Sequence, residues 1–345
     1  MTEKSPGFDD WKKLYNTALK IKAIEPWKYM EECELFAVQE PETDKIGFVS
    51  IMGSIGEHYA ISVYLEEKGF YGFMDFKQSR INRFSYQKLI EIPQLQVSFE
   101  DHNQLHSKDR AVIRKLGLKF RGKNSYPLFR SYRPGFYPWY LSQTEAQFLQ
   151  CVLEQTIDVI LRVQKEHLVV DPDEKGSFLI RKCVKKDGGI VWHDSSLIVE
   201  PPKPQPLVAS LDYSIMDFLN RLKLKKMTVE MDLFIFPQPI KEKGTRPFYP
   251  YILMLVDKKS GEIIATETLQ PLPTIESMWE EIPAIVAEIF ANIKLLPKKI
   301  IVKSGELFQS LLYLKDEFGV SIELSQELSR IDEAHASLID FMDKT

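Results

Sequence analysis

The sequence predicts an α+β domain followed by an α/β domain with a mixed five-stranded sheet. Three observations predict this. A chain of 345 residues is about twice a common domain length. Its 44% hydrophobic content supplies enough apolar material for sizeable cores. The run Glu200-Pro201-Pro202-Lys203-Pro204-Gln205-Pro206 reads as a stiff, extended linker between stretches of different element order. The resulting divisions are residues 1–200, a linker at 201–206, and residues 207–345.

In the first domain, Asp9 or Asp10 is placed to cap an amphipathic helix with Trp11, Leu14, Tyr15, Ala18 and Ile21 on its apolar face. Pro26 ends it. Residues 34–38 and 46–52 read as strands joined by the turn Pro41-Glu42-Thr43-Asp44, and residues 59–65 as a third strand. Gly53-Ser54-Ile55-Gly56-Glu57 reads as a hairpin turn. It lacks the Lys and Ser/Thr of a phosphate loop and leads into a strand. Residues 69–78 and 82–90 look helical, and 95–99 extended.

His102 and His106, four apart beside Glu100 and Asp101, have metal-ligand spacing if helical. Ser107, however, is a good N-cap for a helix through Leu116, which puts both histidines in a loop. Ser142-Gln143-Thr144-Glu145 is a capping box opening a long helix to about Lys165, with Leu149, Leu153, Ile157 and Ile160 as its stripe. Residues 178–184 and 190–192 pair across the turn at 186–189.

In the second domain, Asp212 caps a short helix. Residues 228–236 alternate as a strand, stopped by Pro237. Residues 249–256 and 262–269 form a hairpin across Asp257-Lys258-Lys259-Ser260-Gly261. Thr274 starts a helix with Trp279, Ile282, Val286, Ile289 and Ile293 in its stripe, and Pro283 predicts a break near Ile282. Residues 299–303 form a short Ile/Val strand, 306–318 a helix closed by Gly319, and 320–324 the last strand.

The net charge of −4 gives no global attraction to nucleic acid or to acidic membranes. No apolar run approaches the ~18 residues of a spanning helix. The polar, acidic first ten residues do not resemble a signal peptide. Three widely spaced cysteines, Cys33, Cys151 and Cys183, suit reduced thiols in a cytoplasmic protein. No metal site or cofactor is expected, and the sequence leaves the oligomeric state open. One further expectation is a structural partner that uses an apolar face of the first domain to form an oligomer.

Residues 108–140 are distinct. Lys108, Arg110, Arg114, Lys115, Lys119, Arg121, Lys123, Arg130 and Arg133 oppose only Asp109, with Phe120, Tyr126, Phe129, Tyr132, Phe136, Tyr137, Trp139 and Tyr140 interleaved. Guanidinium groups beside aromatic faces suit a nucleic-acid backbone and its bases. The candidate contacts are Arg110, Arg114, Lys119, Arg121, Arg130, Arg133, Tyr132 and Trp139. The same residues also suit a Pro-bent packing segment whose arginines answer nearby acids.

Two resemblances follow from these residues. Phe99-Glu100-Asp101, Leu116-Gly117-Leu118-Lys119-Phe120-Arg121-Gly122, Phe129-Arg130-Ser131-Tyr132-Arg133-Pro134-Gly135, Pro138-Trp139, Pro26-Trp27 and Ile51-Met52-Gly53 resemble an uncharacterised bacterial domain-of-unknown-function family. The second half, with Arg246-Pro247 and Val256-Asp257, resembles a companion family. Its element order, β-β-β-α-β-α-β, resembles the ribonuclease H-like fold, most of all integrase and transposase cores.

That second resemblance implies two divalent ions ~4 Å apart, held by converging carboxylates. Asp232 stands where the first ligand would be. The strand that should supply the next acid ends instead in Val302-Lys303-Ser304. The sequence therefore points to a non-catalytic binding or adaptor protein, with nucleic acid as its candidate partner. The alternative is a metal-dependent nuclease with a rearranged site built from Asp232, Glu306 and Asp332 or Glu333. No Ser-His-Asp, Cys-His or Gly-rich nucleotide constellation has a matching local context.

Overall fold

A computed structural model describes residues 4–78, 89–170, 172, 176–186, 189–202, 211–242 and 245–342. Residues 82–88 of the expected helix at 82–90, the centre of the turn at 186–189 and most of the Pro-rich linker lie outside these residues. The chain divides into unit 1, Met1–Lys203, and unit 2, Pro204–Thr345.

Unit 1 is built on a seven-stranded mixed sheet. The strands are β1 (Phe36–Gln39), β2 (Ile46–Met52), β3 (Ala60–Leu65), β4 (Gln94–Glu100), β5 (Tyr126–Tyr132), β6 (Phe178–Lys186) and β7 (Gly189–Leu197). Their order across the sheet is β5-β4-β3-β2-β1-β6-β7. Neighbours run antiparallel except β1 and β6, which are parallel. The described helices are α1 (Phe8–Ile24), α2 (Glu66–Gln78), α3 (Ser107–Lys115) and α4 (Gln143–Glu166).

The central strands are buried on both faces, so they read as continuous apolar runs. Val49, Ile51, Ile61, Val63, Val97 and Phe129 pack with Leu14, Ile21, Leu149 and Leu153 of α1 and α4. On the other face Phe48, Tyr64 and Ile180 pack with Phe70 and Phe73 of α2. Helix α1 is capped differently from expectation: Gly7 is the N-cap, and its N–H donates to Asp10 Oδ2 at 2.8 Å. Helix α4 has the expected capping box, with Glu145 N–H donating to Ser142 Oγ and Ser142 N–H to Glu145 Oε2.

β5 is a regular strand, where the sequence predicts a Pro-bent segment. It tolerates Pro127 because it lies at the edge of the sheet.

Unit 2 has five strands: β8 (Leu224–Ile235), β9 (Tyr251–Asp257), β10 (Ile263–Leu269), β11 (Leu296–Val302) and β12 (Ser321–Leu324). Their order is β10-β9-β8-β11-β12. β8, β9 and β10 are antiparallel, and β11 and β12 run parallel to β8. The helices are α5 (Tyr213–Asn220), α6 (Ile275–Asn292), α7 (Gly305–Ser310), α8 (Leu312–Phe318) and α9 (Ser329–Met342).

Val229, Met231, Leu253, Leu255, Ile300 and Val302 are fully buried. Strand alternation puts them on one face. On the other, Phe234, Met254, Val256 and Ile301 pack with Leu328 and Ile331 at the start of α9.

Two helices differ from expectation. α6 runs through Pro283 as one helix, with Ile282 and Val286 buried on either side. The helix expected over 306–318 is two, divided at Leu311 and closed by Gly319 at φ +71°. No helix of the described residues is long and apolar enough to cross a membrane.

Candidate functional site

In unit 2 the candidate acids gather only in part. β8 carries Glu230, Asp232 and Phe234 on alternate positions, hence on one face. β11 runs beside it with Val302 opposite Met231, so the next residue, Lys303, comes level with Asp232. α9 crosses this face and brings Asp332, whose Oδ1 lies 3.4 Å from Lys303 Nζ.

Burial pushes the Asp232 carboxyl up to about 6, against the donated Leu233 N–H and the Lys303 charge, with Asp332 adding to the rise. The Leu233 N–H lies 3.0 Å from Asp232 Oδ1. The Lys303 ammonium thus pairs with Asp332, and its charge also acts on Asp232.

The other candidates have different occupations. Ser304 is the N-cap of α7, its Oγ accepting from Leu307 N–H at 3.0 Å. Glu306 is exposed in the first turn of that helix. Glu333 pairs with Arg330 at 2.8 Å. Among the described residues no three His, Cys, Asp or Glu side chains come together as a possible ion site.

Two neighbours on this face escaped sequence reasoning. Glu230 is fully buried and accepts the N–H groups of Arg330 and Ile331 at 2.9 and 3.3 Å, holding the start of α9. Lys258 Nζ lies 3.1 Å from its other oxygen. His335 of α9 stacks on Phe234, with ring centroids 3.9 Å apart. Their spacing in sequence, a hundred residues apart, carries no signal.

In unit 1 the basic segment splits into engaged and exposed groups. Arg130 is buried in a two-pronged pair with Asp109, at 2.9 and 2.7 Å, and lies over the Tyr140 ring. Arg133 reaches Glu145 at 2.9 Å. Burial opposes the Glu145 charge, but the Ser142 N–H, Arg133 and Ser131 hold its carboxyl below the usual range. Arg110 donates to the Leu105 carbonyl at 2.6 Å. Tyr132 Oη donates to Gln96 at 3.2 Å, and Trp139 bridges the backbone of Ser131.

Lys108, Arg114, Lys115, Lys119, Arg121 and Lys123 are exposed along α3 and the loop after it. His106 is the N-cap of α3 and meets Tyr140, while His102 packs on Tyr126.

These features define a two-domain protein with a mixed sheet in each half. Residues 11–181 match a family described as a domain of unknown function (DUF7309), and residues 216–339 match a second such family (DUF6930). The chain carries one domain of each. No curated protein matches it.

Proposed function

We propose that this is a non-catalytic binding or adaptor protein that engages nucleic acid, and that unit 2 is a ribonuclease H-like module whose cation is built in. The observation that carries the reading is Lys303. Hard divalent ions are held by converging carboxylates. Just after β11 the tethered Lys303 ammonium pairs with Asp332 and its charge acts on Asp232, so an ion arriving there meets like charge.

The ribonuclease H-like assignment is supported by three antiparallel strands in sequence, with two crossover strands extending the sheet from β8. A cytoplasmic setting belongs to the same reading, supported by three free cysteines.

Nucleic acid is the partner that the exposed cations favour. Arg130 and Arg133 are spent on carboxylates, so contact falls to Arg114, Lys119 and Arg121, with Lys108, Lys115 and Lys123 beside them. Affinity for DNA and RNA, single- and double-stranded, measured across salt, tests this. Binding should weaken as salt rises, and charge reversal at Arg114 and Arg121 should weaken it further. No binding at low salt overturns it. Manganese-dependent cleavage abolished by Asp232→Asn replaces it with the nuclease alternative.

A further inference from the structure

We propose that unit 2 carries a second phosphate-binding surface for nucleic acid, a lysine strip on the paired first halves of β8 and β11. This rests on the nucleic-acid reading and adds a contact that the basic segment of unit 1 does not supply.

The strip is built by strand register. β8 and β11 run parallel, with Leu224 opposite Leu296, Lys225 opposite Pro297 and Thr228 opposite Lys299. The two strands therefore begin level with each other, ~4.8 Å apart. Residues 223–228 and 294–299 hold Lys223, Lys225, Lys226, Lys294, Lys298 and Lys299, and no acid. At ~3.3 Å per residue the strip is about 15 Å long, on the order of four phosphate spacings of one nucleic-acid strand. Asp232 lies further along β8, ~23 Å from Lys225 by the same rise.

The β8 side of the strip is a free edge. β9 pairs with β8 only from Val229 onward, and Lys258 N–H donates to the Thr228 carbonyl where that pairing starts. Lys223, Leu224, Lys225 and Lys226 are all exposed, so both faces of the strand are open there. Lys294, in the turn before β11, and Lys298 are exposed too. Among the described residues Lys299 alone of the six lysines pairs with a carboxylate, Glu323 at 2.6 Å. The acids of the adjoining turns are engaged or outnumbered. Asp217 pairs with Arg221, and Asp257 accepts from the Lys259 N–H and the Ser260 hydroxyl. Glu262, Asp316 and Glu317 are exposed, three acids beside five unpaired lysines.

A lysine at the edge of a sheet also blocks pairing with another chain. That accounts for Lys225 and Lys226 but not for Lys298, because β11 lies inside the sheet between β8 and β12. Ammonium groups gathered this closely repel one another until an anion answers them. A nucleic-acid backbone supplies anions in a row, and lysines bind it without regard to sequence. An acidic membrane suits the strip less well. A flat surface meets one face, whereas these lysines stand on both faces of β8, and Leu224, 40% exposed, is the one large apolar residue open on the strip.

The test titrates the full chain across salt with four fluorescent probes, DNA and RNA, each single- and double-stranded. Wild type is compared with a triple variant, Lys225→Ala with Lys226→Ala and Lys298→Ala, and with charge reversal at Arg114 and Arg121. For the probes that bind, the triple variant should flatten the slope of log affinity against log salt by roughly 2–3 and weaken binding at least about tenfold at low salt. Lys298→Ala alone should flatten the slope by about 1, which keeps the test open if the triple variant melts early. Wild-type affinity and slope in both lysine variants, with binding lost on reversing Arg114 and Arg121, overturns the strip and leaves the unit 1 surface standing. No binding of any probe overturns both. Binding to phosphatidylserine vesicles but to no nucleic acid, lost in the triple variant, also overturns the proposal and makes a lipid surface the partner.

Discussion

Arg130 and Asp109 form a buried ion pair, each side chain only 9% exposed, with Nη1 donating to Oδ1 and Nη2 to Oδ2. Asp109 also accepts the His106 N–H at 2.9 Å, so this one carboxylate closes the start of α3 and ties it to β5.

Removing either partner leaves a charge buried without its match. Asp109→Ala and Arg130→Ala should each destabilise unit 1 by about 3–5 kcal/mol, while replacing both with apolar residues of similar volume should cost far less. Urea unfolding of the two single variants and the double variant measures this. Equal losses in single and double variants would show that the pair is not the cause.

Asp232 gives a pH dependence with a definite sign. Its folded-state value of about 6 lies above the ordinary 3.8. The folded state then binds the proton more tightly, so the contribution is complete below about pH 4 and is lost as pH rises through about 6. At 1.36 kcal/mol per unit this is at most about 3 kcal/mol. Asp232→Asn should therefore gain stability relative to wild type between pH 4 and 7. Denaturant unfolding at four pH values reads the difference, and a gap that shrinks with pH overturns it.

Glu230 should matter more than its partner Lys258. Two N–H groups of α9 depend on the Glu230 carboxylate, and hydrogen bonds to a charged group contribute roughly 1.5–3 kcal/mol each. Glu230→Ala should cost about 3 kcal/mol and loosen α9. Lys258 is 45% exposed, so Lys258→Ala should cost about 1 kcal/mol or less. Amide exchange in α9 and thermal melts of both variants separate the two.

Lys303→Asp turns the built-in cation into a third acid beside Asp232 and Asp332. The variant should gain a manganese-dependent rise in melting temperature that wild type lacks, because three acids converge where one ammonium stood. A variant that melts at the same temperature with and without manganese would show that these side chains do not converge.

The elements of this chain were legible where one physical signal decided them. The capping box at Ser142, the hairpin at 257–261 and the alternation of β8 each act within a few residues. Elements decided by packing were not. β5 holds a proline because its position at the sheet edge leaves that N–H side unpaired. α6 keeps Pro283 because burial on both sides of it outweighs the roughly 3 kcal/mol cost of a proline in a helix.

By itself the sequence determined the division into two halves, most of the strands and helices in their order, and the Lys303-Ser304 pair that follows β11. Those follow from periodicity, turn chemistry and residue type, which are local. Only the tertiary structure decided which arginines are spent and which face solvent, that Lys303 pairs with Asp332 close to Asp232, and that Glu230 holds α9. Those depend on strand register and on the crossing of helices over sheets, which bring together side chains about twenty to a hundred residues apart.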